Sequence, residues 1–211
     1  MSFRDWYDEN ILPRCIGFAC ADSKIKDLRG QIVPMAEGKV FELGCGGGMN
    51  QEYYDASKVT SFSGIDPGDT LLDEARAKAR EKGWDVDLRH GKGEAIPFGD
   101  NSFDTVVCTY TMCSVDDPEK VLSEMRRILK PGGKLLYLEH GRAPDPGPAK
   151  WQRRIEPVWK PIMGNCHLTR EIGAAVKRGG FNVEPVGSKY LPKMPKWAGW
   201  MEWGVGWKGG A

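Results

Sequence analysis

The 211 residues carry 30 Lys and Arg against 29 Asp and Glu, a formal net charge of +1. A chain of this length closes one domain around a full core and has little room for a second, and its charge balance creates no field that would recruit nucleic acid or an anionic membrane. No apolar run approaches the roughly 20 residues that span a bilayer, and the opening MSFRDWYDEN is too polar for a secretory signal, so the expectation is a soluble, cytoplasmic protein acting on a small-molecule partner, with at most weak membrane-surface binding and an open oligomeric state.

The first predicted elements are helical. Phe3, Trp6, Tyr7 and Ile11 fall on one side of a helix, and a second helical stretch covers 15–28. Residues 1–30 are therefore a candidate lid over the first strand, with ordinary packing on the domain flank as the alternative. From Lys39 onward, short runs rich in leucine and β-branched residues at 40–43, 61–65, 86–89, 105–109 and 134–139 alternate with helical patterns, the signature of a doubly wound α/β sheet. A helix beginning at Asp69 carries Leu72, Ala75 and Ala79 on one face, and Gly83 ends it. The next has Asp117 as N-cap, Pro118 in its first turn and an apolar stripe of Val121, Leu122, Met125, Ile128 and Leu129 before Pro131-Gly132-Gly133 stops it. The Pro/Gly loop at 141–148 opens an insert, 141–168, that bears Trp151, Trp159, Met163, Cys166 and His167 and breaks the alternation. A helix at 169–178 and a strand at 182–190 follow, and Met201, Trp203, Val205 and Trp207 alternate at period two as a final strand. The whole, 1–211, reads as a single domain whose cofactor-binding core is 39–140.

The cysteines are Cys15, Cys20, Cys45, Cys108, Cys113 and Cys166, with no CxxC pair, so neither a disulfide framework nor a zinc ribbon is expected. Cys113 and Cys166 read as small buried hydrophobes. Together with His167 they match no common zinc spacing, and no metal is expected.

The strongest local signal is Val-Phe-Glu-Leu-Gly-Cys-Gly-Gly-Gly over 40–48, a buried strand that runs directly into a glycine turn around Cys45. Gly44, Gly46 and Gly48 stand at E-x-G-x-G-x-G spacing, which allows positive φ and brings backbone N–H groups to a ligand at the N-terminus of a following helix. Asp66, followed by Pro67, ends the next strand 22 residues after Gly44, where a carboxylate accepts both hydrogen bonds of a ribose diol. Nicotinamide enzymes share these two features but use G-x-G-x-x-G at a pyrophosphate. Here the third glycine comes one residue earlier and Glu42 precedes the turn. An acid there repels a diphosphate and favours a cation such as the ammonium and sulfonium of S-adenosylmethionine. That cofactor, leaving as S-adenosylhomocysteine, is expected, with a nicotinamide oxidoreductase as the alternative class.

Further along, Gly-Lys-Gly-Glu-Ala-Ile-Pro-Phe (91–98), Asn-Ser-Phe-Asp (101–104) and Arg-Arg-Ile-Leu-Lys-Pro-Gly-Gly (126–133) follow in order. With the glycine turn they resemble the class I, type 11 methyltransferases. The resemblance implies a Rossmann-like, mostly parallel seven-stranded sheet with an antiparallel last strand. It also implies that Gly93 and Glu94 border the adenine, that Asp66 holds the ribose, and that Thr109, Tyr110 and Thr111 face the methionine moiety. Lys92 stands where many relatives have Asp, which leaves the adenine contact there to the backbone. Leu-Glu-His (138–140), Trp-Gln (151–152), Pro-Val-Trp (157–159) and Gly-Asn-Cys-His-Leu-Thr-Arg (164–170) are similar to the methyltransferase-like-seven group of thiol methyltransferases, whose hydrophobic N-terminal anchor is missing from this sequence. The resemblance implies methylation of a small thiol. N-methylation of phosphatidylethanolamine, C-methylation of a quinone precursor, and a binding protein without catalysis remain alternatives. Methyl transfer needs alignment and at most one base; His140 and His167 are the candidates, and His90 is expected at the surface.

Overall fold

A computed structural model describes residues 23–209. In chain order it contains α1 (Ser23–Ile32), a 3-10 turn (Val33–Met35), β1 (Gly38–Leu43), β2 (Val59–Asp66), α2 (Asp69–Glu81), β3 (Val86–His90), β4 (Phe103–Thr109), α3 (Pro118–Ile128), β5 (Leu129–His140), α4 (Pro146–Ile162), α5 (Ile172–Arg178), β6 (Phe181–Tyr190) and β7 (Trp200–Lys208). The strands form one seven-stranded sheet in the order β3-β2-β1-β4-β5-β7-β6. Strands β1 to β5 pair in parallel, and β7 lies antiparallel between β5 and β6. This is the expected α/β sheet with its last strand reversed.

Period-two alternation divides the core. Val40, Leu136 and Leu138 point to one face, packed with Leu28 and Ile32 of α1 and Leu72 and Ala75 of α2. Phe41, Leu43, Leu135 and Tyr137 point to the other, under Val121, Leu122, Met125 and Ile128 of α3 and Ile172 and Val176 of α5. A parallel sheet covered on both faces requires apolar residues at successive positions, and this is why β1 and β5 read as continuous runs rather than alternating ones. Asp117 caps α3, its carboxylate accepting from the backbone N–H of Glu119 and Lys120.

Four local expectations are corrected. No helix follows the glycine turn; residues 44–54 wind through successive turns, closed by Gly48 N–H to Cys45 O at 2.9 Å and Tyr53 N–H to Asn50 O at 2.9 Å. Three consecutive glycines lose too much backbone freedom in a helix for one to form there. Pro131-Gly132-Gly133 does not end α3, which stops at Ile128; it interrupts β5 between the pairs Phe103↔Leu129 and Thr105↔Lys134, where the register shifts. The Pro/Gly loop expected at 141–148 is cut short, because α4 begins at Pro146 and runs for 17 residues despite Pro157 and Pro161 within it. Both prolines are exposed, as are Arg153 and Pro157, whose carbonyls lose their helical partners. Helix α5 starts at Ile172 because the N–H and hydroxyl of Thr169 are taken by Glu156 of α4, each at 2.8 Å.

Helix α1 carries the second N-terminal helical stretch on to Ile32; Phe3, Trp6, Tyr7, Ile11, Cys15 and Cys20 lie outside the described residues. Among the described residues no helix is long and apolar enough to cross a membrane.

Candidate active site

Strand order reverses between β1 and β4, and the crevice at their C-terminal ends is where an open α/β sheet accommodates a ligand. There β1 passes into Gly44, whose N–H, with that of Cys45, donates to Ile65 O at 2.9 and 3.1 Å. Gly44 has φ +67°, and a Cβ on it would lie 2.2 Å from Thr111 Oγ1, so no other residue fits. Gly46, at φ +46°, differs: a Cβ there would meet nothing nearer than Asp66 Oδ2 at 4.0 Å. The turn therefore leaves a cradle above Gly46 that a side chain would fill. Asp66 fixes that turn, Oδ2 accepting from Gly46 N–H at 2.9 Å and Oδ1 from Gly68 N–H at 2.8 Å. Burial raises its carboxyl above the usual range against the pull of these donors. Pro67 is exposed beyond it, Cys45 is buried with its thiol pushed up by desolvation, and Gly48 closes the turn against Gln51 and Ala75.

Behind the cradle lies a buried polar network. Glu42 accepts from Tyr54 O–H at 2.7 Å and from Asn50 Nδ2 at 2.9 Å. Asn50 Nδ2 also reaches Thr109 Oγ1 at 3.0 Å. Arg29 of α1, only 4% exposed, donates through Nη1 to Thr109 Oγ1 at 2.8 Å and to Asn50 Oδ1, with its guanidinium 5.0 Å from the centre of the Tyr110 ring. Its Nε is buried with no partner among the described residues. Burial pushes the Glu42 carboxyl up to about 7, opposed by Tyr54, Arg29 and Asn50. Sequence reading singled out Glu42 and Thr109 and missed Arg29 and Tyr54. Arg29 is one of several cations in its helix, with no local mark to separate it from Lys24 and Lys26.

The segment after β4 is held by a second buried acid. Glu139 is fully buried; Oε1 accepts from the N–H groups of Thr111 and Met112 at 2.9 Å each, and Oε2 from that of Cys113 at 3.2 Å. Burial pushes its carboxyl up to about 7. Within this bend Tyr110 takes φ +55°. Gly93 packs against Leu43 and Val121, where a Cβ would sit at 3.1 Å. Glu94 uses its carboxylate on the N–H groups of Asp116 and Asp117 at 3.1 and 3.2 Å, and Lys92 pairs with Asp116 at the surface.

His140, at the end of β5, is 6% exposed; Nδ1 lies 3.7 Å from Cys166 Sγ, and Nε2 is buried without a partner among the described residues. His167 is less buried, with Nδ1 3.6 Å from Glu156 Oε1. Burial, then Arg170 and Lys160, hold its imidazole below the usual range. Both candidate bases thus flank Cys166, which sequence reading had set aside as a packing residue. His90 is exposed and pairs with Asp69 at 2.9 Å. Trp159 is partly buried, edge-on to Trp197 at 5.6 Å, but Trp151 is 54% exposed beside the Arg154 guanidinium.

A family model described as a methyltransferase domain matches residues 41–137. The rat thiol S-methyltransferase TMT1B is 38% identical over 183 residues, covering 82% of this chain and 72% of the rat protein. The human TMT1B is 36% identical over 185 residues, covering 82% and 76%. The YcgJ protein of Bacillus subtilis superposes with TM-score 0.71 at 18% identity over 90% of this chain and 99% of that one. A SAM-dependent methyltransferase from Thermotoga maritima superposes with TM-score 0.64 at 22% identity over 85% and 87%. The chain belongs to the class I methyltransferase family, in the branch that contains the TMT1 thiol S-methyltransferases.

Proposed function

We propose that the chain transfers a methyl group from S-adenosylmethionine to a small, mostly apolar thiol, with His140 as the base that takes the acceptor's proton. The observation that carries this reading is the buried, unpartnered Nε2 of His140 at the sheet edge that borders the glycine turn, with Nδ1 held by Cys166. A free thiol has a pKa of about 8.5 and is mostly protonated near neutrality, so a base beside it raises the reactive fraction. That relatives sharing most of this chain are thiol S-methyltransferases supports the same acceptor class.

The residues present fit the cofactor. The cradle over Gly46 would hold its methionine chain, Asp66 the ribose diol, and the backbone of Gly93 and Glu94 the adenine. Arg29, through its unpartnered Nε, would take the carboxylate of the methionine end, while Glu42 and Thr109 to Thr111 line that end. When bound, S-adenosylmethionine supplies an electrophilic methyl on a cationic sulfur. The chain itself aligns the acceptor, excludes water and moves one proton from the thiol to His140 Nε2. On this reading 39–140 forms the cofactor half and 141–168 the acceptor side.

The test is an acceptor panel read as S-adenosylhomocysteine release, with pH profiles for the parent, His140→Gln and His167→Gln. Alkyl thiols should turn over. His140→Gln should lower kcat/KM near neutrality by about 10²-fold, recovering toward the parent above the thiol's own pKa, while His167→Gln keeps the parent profile. Turnover of phosphatidylethanolamine or a quinone precursor without thiol methylation would overturn the acceptor, and binding without any turnover would make the chain a sensor.

A further inference from the structure

Four hydrogen bonds lace the loop after β4 to the loop after α4. Asn165 Nδ2 donates to Ser114 O at 2.8 Å, and His167 N–H to Cys113 O at 2.8 Å. Arg170 donates through Nη1 to Met112 O at 2.6 Å and through Nη2 to Val115 O at 2.7 Å. The lacing gathers Cys113, Cys166 and His140 into one cluster, with the N–H beside Cys166 on the Cys113 carbonyl and Cys166 Sγ 3.7 Å from His140 Nδ1. Access to the two sulfurs differs. Cys113 is 4% exposed and Cys166 only partly buried. A paired dithiol beside an imidazole exceeds what methyl transfer requires, which is alignment and one base.

We propose that Cys166 and Cys113 form a thiol–disulfide exchange site for low-molecular-weight disulfides, with Cys166 attacking and Cys113 resolving. The hydrogen bond from Cys113, and then His140, hold the Cys166 thiol below the usual cysteine range, whereas Cys166 and burial hold that of Cys113 well above it. The accessible sulfur is therefore the nucleophile and the buried one the reserve. In the first step the Cys166 thiolate, stabilised by Nδ1–H of His140 and by the Cys113 thiol, attacks a disulfide RS–SR. The S–S bond breaks, a Cys166–SR mixed disulfide forms, and RS⁻ leaves and takes a proton from water. With the negative charge on Cys166 gone, Cys113 ionises more readily and attacks Cys166, its proton leaving with the second thiolate. The balance is one disulfide reduced to two thiols and one protein dithiol oxidised to a Cys113–Cys166 bridge. In the bridged form Cys166 no longer offers His140 a thiol partner, which links the redox state of the pair to the imidazole.

The test uses the full chain and 2-hydroxyethyl disulfide, with alkylation and peptide mass mapping as the readout. The parent should yield a peptide pair linked through Cys113 and Cys166 that a dithiol reductant reopens. Cys113→Ser should stop at a mixed disulfide on Cys166; its hydroxyl has a partner in Ser114 Oγ, which already lies 3.5 Å from the Cys113 sulfur. Cys166→Ser should leave Cys113 unmodified, and His140→Gln should slow mixed-disulfide formation at neutral pH by roughly tenfold. The proposal is overturned if both thiols of the parent stay alkylatable, if the parent accumulates the mixed disulfide without bridging, or if only other cysteines react. No methyl transfer is read, so a failure here leaves the acceptor assignment untouched, and the reverse holds.

Discussion

At Gly44 and Gly46 the same residue type is present for two different reasons. Gly44 is required by the protein itself, since a Cβ would run into Thr111. Gly46 has open space beside it, and only its φ of +46° disfavours a side chain. Gly44→Ala is therefore expected to destabilise the fold by about 3 kcal/mol or more. Gly46→Ala should cost about 1–2 kcal/mol for the left-handed backbone and weaken S-adenosylmethionine binding by at least about tenfold. Urea unfolding and calorimetric titration separate the two effects; parent affinity in Gly46→Ala would remove the turn as the cofactor cradle. Asp66→Ala is a less clean probe, because it also strips partners from Gly46 N–H and Gly68 N–H.

On the proposed reading α4 belongs to the acceptor side, and Gln152 ties it to the loop leaving β5. Gln152 is fully buried; its Oε1 accepts from Ala143 N–H at 2.9 Å and its Nε2 donates to Gly141 O at 3.0 Å. The amide thus satisfies both backbone groups of the loop leaving β5, one residue beyond His140. Gln152→Ala leaves a buried donor and a buried acceptor unpaired, an expected loss of about 2–3 kcal/mol. It should also raise acceptor KM more than it lowers cofactor affinity, since the glycine turn lies on other elements. A shift of both constants by the same factor would show that α4 positions the cofactor half as well. Gln152 was legible in the sequence only as part of a motif. Its role depends on a loop nine residues earlier folding back over the helix.

Across the whole molecule, buried acids set the pH dependence of stability. Burial holds Glu42 and Glu139 up to about 7 in the folded chain, against 4.5 as the ordinary value. The folded state binds these protons more tightly than the unfolded one. The stability they contribute is therefore full below about pH 4.5 and is lost as the pH rises through about 7. Glu124 runs the other way: the hydrogen bond from Arg127 lowers its carboxyl, so its contribution is present above the ordinary carboxylate range and is lost on acidification. The thermal midpoint should peak in mildly acidic solution and fall toward neutrality. Glu42→Gln removes one titration while keeping contacts to Asn50 and Tyr54, and should flatten a decline on the order of 3 kcal/mol. Parallel melting profiles for parent and variant between pH 4.5 and 8 would contradict the raised Glu42 value.

The sequence by itself determined the sheet and the glycine turn, because both rest on local rules. Strands at 40–43 and 134–139 announce themselves by apolar runs at both parities, and Gly44 by the backbone conformation that a strand-to-turn passage demands. It failed where a residue's partner is remote. Nothing near Arg29 indicates that Asn50 and Thr109 will receive it, 21 and 80 residues on. Likewise Cys113 and Cys166 read singly as small hydrophobes, and only the Arg170 and Asn165 bonds to the loop after β4 bring them together beside His140. Helix α4 shows the same division: propensity counts two helical bonds broken by Pro157 and Pro161, while the tertiary structure holds the helix through Gln152 and Glu156 and leaves the broken ones at the surface.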